Sequence, residues 1–124
     1  MEQIVIVDTS ALISVFENGI NLDRELDGLI GTHSVILPTA VLEELARIDK
    51  KEAKMALSLS ARYRTVASSA KGDDAVVEAA RKTASFAVVT NDMRLASELV
   101  SGGLRVIMLR GRKRLDFYRS DEAL

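Results

Sequence analysis

Four short runs, Ile4–Val7, Ser34–Leu37, Phe86–Thr90 and Leu104–Leu109, are apolar on nearly every consecutive position. A strand with one solvated face alternates apolar and polar residues, so continuous runs of this kind read as strands covered on both faces. Amphipathic segments separate the runs, and strands alternating with helices argue for a parallel sheet with right-handed crossovers. The expected fold is α/β: a three-layer α/β/α sandwich around a central parallel sheet of four to five strands. The crossover from Leu37 to Phe86 is long and carries several helices.

Helix punctuation divides the rest. A first helix is expected from Ser10 to Glu17, stopped by Asn18-Gly19, and a second over Leu22–Ile30, ended by Gly31. Pro38 closes the second strand because it cannot continue the ladder, and Thr39 then caps a helix reaching Asp49. Helical patterning continues over Lys51–Ala67, Asp73–Thr83 and Asp92–Ser101, with Ser68–Gly72 as the one flexible loop of any length. No repeat or linker interrupts the chain, so residues 1–124 read as a single domain with a basic segment over 110–119.

Composition narrows the chemistry. There is no cysteine and one histidine, which excludes disulfides, thiol nucleophiles and zinc–thiolate sites, so a metal centre would be built from oxygen and favour Mg2+ or Mn2+. The formal net charge of −1 means that nucleic-acid binding would need a local basic patch. No apolar run approaches the roughly 20 residues that span a bilayer, and no basic leader is present, so a cytoplasmic protein without membrane partners is expected.

Acidic residues mark the ends of these elements. Asp8 ends the first strand, and Asp92 follows the third in Thr90-Asn91-Asp92. Asp73 and Asp74 open a helix after Gly72, and helix phase alone does not choose between them. At about 100° per residue, Val41, Leu42, Leu45 and Ile48 form one face, Glu43 points away, and Glu44 lies at its border, able to lean over the sheet. Each acid has a plain reading as a helix cap or surface group. Their placement at one sheet edge, where open α/β sheets hold ligands, suggests a metal site. Clustered carboxylates raise one another's pKa unless a cation is present, and a bound divalent ion can activate water against a phosphodiester. His33 precedes a strand and is expected to be structural. No phosphate-cradling glycine loop, GxSxG or CxxC offers other chemistry.

The stretches IVIVDTSALI, VLEELARI, DDAVVEAA and VVTND, in this order, resemble the PIN-domain family of metal-dependent ribonucleases over nearly the whole chain. The resemblance implies that Asp8, Glu44, Asp74 and Asp92 are the metal-holding catalytic residues, with Asp74 preferred to Asp73 because the small-aliphatic run begins after it. It implies Mg2+ or Mn2+ as cofactor, single-stranded RNA as substrate, and cleavage to 5′-phosphate and 3′-hydroxyl ends. Thr9, Ser10, Asp73, Thr90 and Asn91 would orient the carboxylates or the water. The tail is similar to PIN proteins of ribosomal RNA processing, in which Arg110, Arg112, Lys113 and Arg114 would contact phosphates.

Toxin ribonucleases of toxin–antitoxin pairs share the same four acids and length. The partner is then either an antitoxin or a ribosome-assembly component, and a homodimer could form through Leu12 to Leu29 or Met55 to Leu59. Two readings compete with the enzyme: a scaffold whose acids are vestigial, and a phosphoacceptor receiver. The receiver would need paired acids after the first strand and a late lysine, where this chain has Thr9 and Arg110-Gly111.

Overall fold

The computed structural model describes residues 2–119. A six-stranded sheet of order β3-β2-β1-β4-β5-β6 forms its centre. Its strands are β1 Gln3–Val7, β2 His33–Pro38, β3 Arg64–Val66, β4 Ala87–Val89, β5 Val106–Arg110 and β6 Arg114–Phe117. All neighbours run parallel except β5 and β6, which form an antiparallel hairpin. The helices are α1 Thr9–Glu17, α2 Leu22–Ile30, α3 Thr39–Arg47, α4 Lys51–Ser60, α5 Asp73–Lys82 and α6 Met93–Ser101. Among the described residues no helix is long and apolar enough to cross a membrane.

Strand periodicity sorts the core into two halves. In β1, Val5 and Val7 face a cluster with Leu12, Leu26, Val41, Leu45 and Ala53 from α1 to α4. Ile6 faces the other way, onto Val76, Ala79, Leu95 and Leu99 from α5 and α6. Both faces of the central strands are therefore covered, which is why their sequences run apolar without alternation. The expected three-layer sandwich is present, with six strands where four to five were expected.

Both additional strands lie at sheet edges. The helix expected over Lys51–Ala67 stops at Ser60, whose hydroxyl turns back to the Ala56 carbonyl at 2.7 Å. Tyr63, Thr65 and Val66 then favour the extended chain, and β3 pairs beside β2. Pro38 is not outside β2 but on its last rung, opposite Val66. In the basic tail, Gly111 turns the chain at a φ of 60°, and β6 returns along β5. The outward N–H groups of β6 are taken up by side chains: Leu115 N–H donates to Glu25 Oε1 at 3.1 Å and Phe117 N–H to Asp116 Oδ1 at 2.8 Å. That blunts the edge against pairing with another chain.

Of the segments considered for dimerisation, Leu12, Leu22 and Leu26 are spent in the core, whereas Met55 is exposed.

His33 is structural, as expected. Its Nε2 lies 2.9 Å from Asp23 Oδ1, and its Nδ1 lies 3.1 Å from both the Gly31 carbonyl and Asp27 Oδ1. Tyr63 donates its hydroxyl to Asp23 Oδ2 at 2.7 Å, so the cluster ties α2 to the start of β2 and to the approach to β3. Burial disfavours the imidazolium, but the bonds to Asp23 and Gly31 and the charges of Asp23 and Asp27 outweigh it and raise its pKa. A folded state that holds the proton more tightly than the unfolded chain loses stability as pH rises. Unfolding free energy is expected to fall from about pH 6.5, the unperturbed value, up through the raised folded pKa. Urea titrations across this window should show the decline in the wild type and a flatter profile in His33→Gln.

Candidate active site

The sheet order creates the site. From β1 the chain builds outward through β2 and β3, then crosses to β4 on the other side of β1. Successive connections diverge at the β1/β4 boundary and leave a crevice at the carboxyl ends of the strands, the usual ligand position in such sheets. Asp8 leaves β1 there, with its N–H donating to the Val89 carbonyl at 3.0 Å. Residues 90–92 leave β4 beside it. The helix after β2 and the helix before β4 both begin at this rim, which brings in Glu44 and Asp73.

A cavity of about 130 Å³ results, lined by Asp8, Thr9, Ser10, Ala40, Val41, Glu44, Gly72, Asp73, Val76 and Asp92. Of the expected metal-holding residues, the structure brings together Asp8, Glu44 and Asp92 with Thr9, Ser10 and Asp73 from the expected orienting residues, and it leaves Asp74 out of the lining. The helix that opens after Gly72 turns its first acid, not its second, toward the crevice. Glu43 is also outside, as its helix phase implied.

Asp8 is a helix cap as well as a lining residue. Its Oδ1 accepts from Ala11 N–H and Ser10 Oγ, each at 2.9 Å, and its Oδ2 accepts from Thr90 Oγ1. Asp92 likewise caps α6 through Oδ1, accepting from the N–H groups of Arg94 at 2.9 Å and Leu95 at 3.2 Å. The cap and ligand readings are therefore compatible, because a carboxylate offers about four lone-pair sites. Capping fixes each acid's orientation while leaving acceptor capacity for the cavity.

Thr90 links the two acids. Fully buried, it donates to Asp8 and accepts from Asp92 N–H at 3.1 Å. Asn91 works by its backbone, donating N–H to Ser10 Oγ at 3.3 Å, while its side chain accepts from Leu109 N–H at 3.1 Å and holds β5 to this rim. Thr39 does not cap its own helix: Pro38 occupies the cap position, and Thr39 Oγ1 accepts from Ser68 N–H at 3.0 Å. Ser68 Oγ in turn accepts from Ala40 N–H at 3.1 Å. This reciprocal pair fastens the loop before Asp73 to the helix carrying Glu44. Nothing in the sequence around Ser68 marks it, since its partners lie 28 and 29 residues away.

The electrostatics favour a cation. Burial raises the Asp8 pKa, opposed by the bonds from Thr90, Ala11 and Ser10 and reinforced by the charge of Asp92. The Asp73 pKa is raised by burial and by Asp92 and Glu98, against Arg94. Four carboxyl groups line the cavity and no basic side chain does. Among the described residues no three acidic, His or Cys side chains stand as a ready ligand set for one ion. A cavity whose polar side chains all offer oxygen, with room for several waters at about 30 Å³ each, nevertheless fits a hard cation such as Mg2+. That ion keeps much of its hydration and commonly takes only one or two carboxylates directly.

The basic residues lie at the β5–β6 turn, beyond the carboxyl end of β5 and thus at the same end of the sheet. Lys113 is committed to the end of α1, donating to the Asn18 carbonyl at 3.3 Å, and Arg110 donates to the Phe117 carbonyl at 3.0 Å. Arg112 and Arg114 are exposed.

Comparison with known proteins agrees with this architecture. Ribonuclease VapC4 of Methanocaldococcus jannaschii is 26% identical over 125 residues, covering 92% of this chain and 95% of that protein. The PIN domain endonuclease Utp24 has a similar fold, with a TM-score of 0.81 at 20% identity over 94% of this chain and 91% of that one. The catalytic core of Rad2 in complex with DNA matches at a TM-score of 0.53 and 13% identity, over 99% of this chain and 48% of that one. The family model described as a PIN like domain matches residues 5–112, a span from β1 into the β5–β6 turn that includes all four lining acids. By that match the chain belongs to the PIN-like domain family.

Proposed function

We propose that this protein is a divalent-metal-dependent endoribonuclease that cleaves single-stranded RNA. The observation that carries the reading is the convergence of Asp8, Glu44, Asp73 and Asp92 on one cavity that no basic side chain neutralises. Mg2+ or Mn2+ bound there would supply charge neutralisation at the phosphate and acidify water for hydrolysis. The chain's own part is to hold the acids in place. Ser10 and Thr90 orient Asp8, the α6 cap orients Asp92, and Ser68 sets the two opposing helix starts relative to one another. Arg112 and Arg114 would attract phosphates, giving salt-dependent affinity with little sequence reading.

Likeness to a protein named a ribonuclease favours RNA as the substrate, and ribosomal RNA processing is the first setting we assign. The toxin-type branch, with an antitoxin partner covering the cavity, stands as the second reading because the likeness to VapC4 runs over nearly its whole length.

We assign the third acid to Asp73 rather than Asp74, since only Asp73 lines the cavity. Purified protein should cut a fluorescent single-stranded RNA with Mn2+ and not with EDTA. Asp73→Asn should lower the rate by roughly 10²-fold, comparable to losing one preorganised electrostatic group. Asp74→Asn should stay within about threefold of wild type, as an exposed surface substitution does. The reverse order would return the ligand role to Asp74, and metal-independent cleavage would remove the proposal.

A further inference from the structure

Glu44 and Asp73 line the acidic cavity from helices that do not share a layer. Helix α3 packs through Val41 and Leu45 into the cluster of the first four helices, and α5 packs through Val76, Ala79 and Ala80 into the cluster on the other face of the sheet. The distance between the two acids is therefore not set by packing of one helix on the other. Nor does α5 fix its own start. Gly72 occupies the N-cap at a φ of 59° and has no side chain to bond the first turn.

The loop before α5 supplies the missing restraint, and Glu78 anchors it. Glu78, in the second turn of α5, accepts from Ser69 N–H at 3.0 Å, from Ala70 N–H at 3.5 Å and from the Ser69 hydroxyl. The bonds from Ser69 hold its carboxyl below the usual range, so at neutral pH it is ionised and acceptor-only, a match for three donors. With residues 69–70 pinned to α5, Ser68 reaches α3, donating N–H to Thr39 Oγ1 at 3.0 Å and accepting from Ala40 N–H at 3.1 Å. Ala40 stands one turn before Glu44, and Asp73 follows Gly72 directly. Glu78 itself lies about 140° around the helix from Asp73, at roughly 100° per residue, and does not line the cavity.

We propose that Glu78 is a positioning residue for the acidic cavity, fixing Asp73 relative to Glu44 through Ser69 and Ser68 and so setting the affinity for a divalent cation. The inference rests on the metal-dependent reading above. A carboxylate that acted by charge alone would lose its effect equally in Glu78→Gln and Glu78→Ala. Glutamine keeps an oxygen for the Ser69 and Ala70 N–H groups, and its amide can donate to the Ser69 hydroxyl. The anchor thus survives loss of the charge in one variant and is removed in the other.

The test is calorimetric titration of Mn2+ into the full chain, with thermal melts in EDTA on the same preparations. Glu78→Ala should bind about tenfold more weakly than wild type, the lower end of what is lost with groups that orient metal ligands, and Glu78→Gln should stay within about twofold. Ser68→Ala should show a similar loss, and the Ser68→Ala/Glu78→Ala double variant should lose no more than about twofold beyond it, since both act through one connection. Glu78→Ala should melt within about 3 °C of wild type, as a surface substitution does. No Mn2+ binding to the wild type would overturn the metal reading and this inference with it. With the wild type binding, the inference alone is overturned by unchanged affinity in Glu78→Ala, an equal loss in Glu78→Gln, additive losses in the double variant, or a larger fall in the Glu78→Ala melting temperature.

Discussion

Asp8→Asn is expected to reduce RNA cleavage by at least 10²–10³-fold, the order seen when one preorganised electrostatic group is lost, and to melt at a higher temperature than the wild type in EDTA at neutral pH. Two separate effects of one carboxyl group underlie this pair of outcomes. Asp8 is 6% exposed, and burial raises its pKa above the usual 3.8. Between the unfolded and folded pKa values the native state carries the extra proton, so stability falls as pH rises through that window. Above it, the folded protein bears the full cost of a buried charge. Asparagine removes the charge and keeps the shape: its Oδ1 can still accept from Ala11 and Ser10, while its Nδ2 reverses the bond to Thr90 Oγ1, whose proton loses its acceptor, a smaller cost than the buried charge. Thermal melts and cleavage assays on one preparation check both halves. A variant that cuts RNA normally removes Asp8 from the site, and one that melts lower shows the carboxylate to be a stabilising cap before anything else.

Leu12→Ala is expected to cost about 3–5 kcal/mol, the upper part of the range for a fully buried leucine. Leu12 is 0% exposed in α1 and belongs to the cluster joining the first four helices to the sheet. Its N–H donates to the Asp8 carbonyl at 3.1 Å, so the helix it anchors is the one Asp8 caps. Against a typical stability of about 5–15 kcal/mol, this loss should lower the melting temperature by about 10–20 °C. Calorimetry reads it directly. A loss below about 1 kcal/mol would mean that the layer over Val5 and Val7 is not the packed core described here.

The sheet's centre was legible in the sequence because its signal is local. Ile4–Val7 and Val106–Leu109 could not be half-exposed strands, and the structure covers both faces. The edges were harder to read. Tyr63–Val66 sits directly after a helix rich in Ala, Leu and Lys, and only its pairing with β2 makes it a strand. Arg114–Phe117 alternates as a strand should, but its charges suggested a solvated tail, and its outward N–H groups find partners in Glu25 and Asp116. At the site, strand ends gave Asp8 and Asp92, and helix phase gave Glu44. The choice between Asp73 and Asp74 depends on how α5 leaves Gly72, with its φ of 59°, which no periodicity reveals. A helix cap also does not exclude a place at the cavity, since Asp8 and Asp92 cap through one oxygen while lining it.

The proposed function requires that the acidic cavity hold a divalent cation. Calorimetric titration of Mn2+ into wild type, Asp8→Asn and Asp74→Asn tests it most directly. Saturable binding is expected for wild type and Asp74→Asn, with binding lost or weakened at least tenfold in Asp8→Asn. No binding to the wild type, or equal binding to Asp8→Asn, would contradict it.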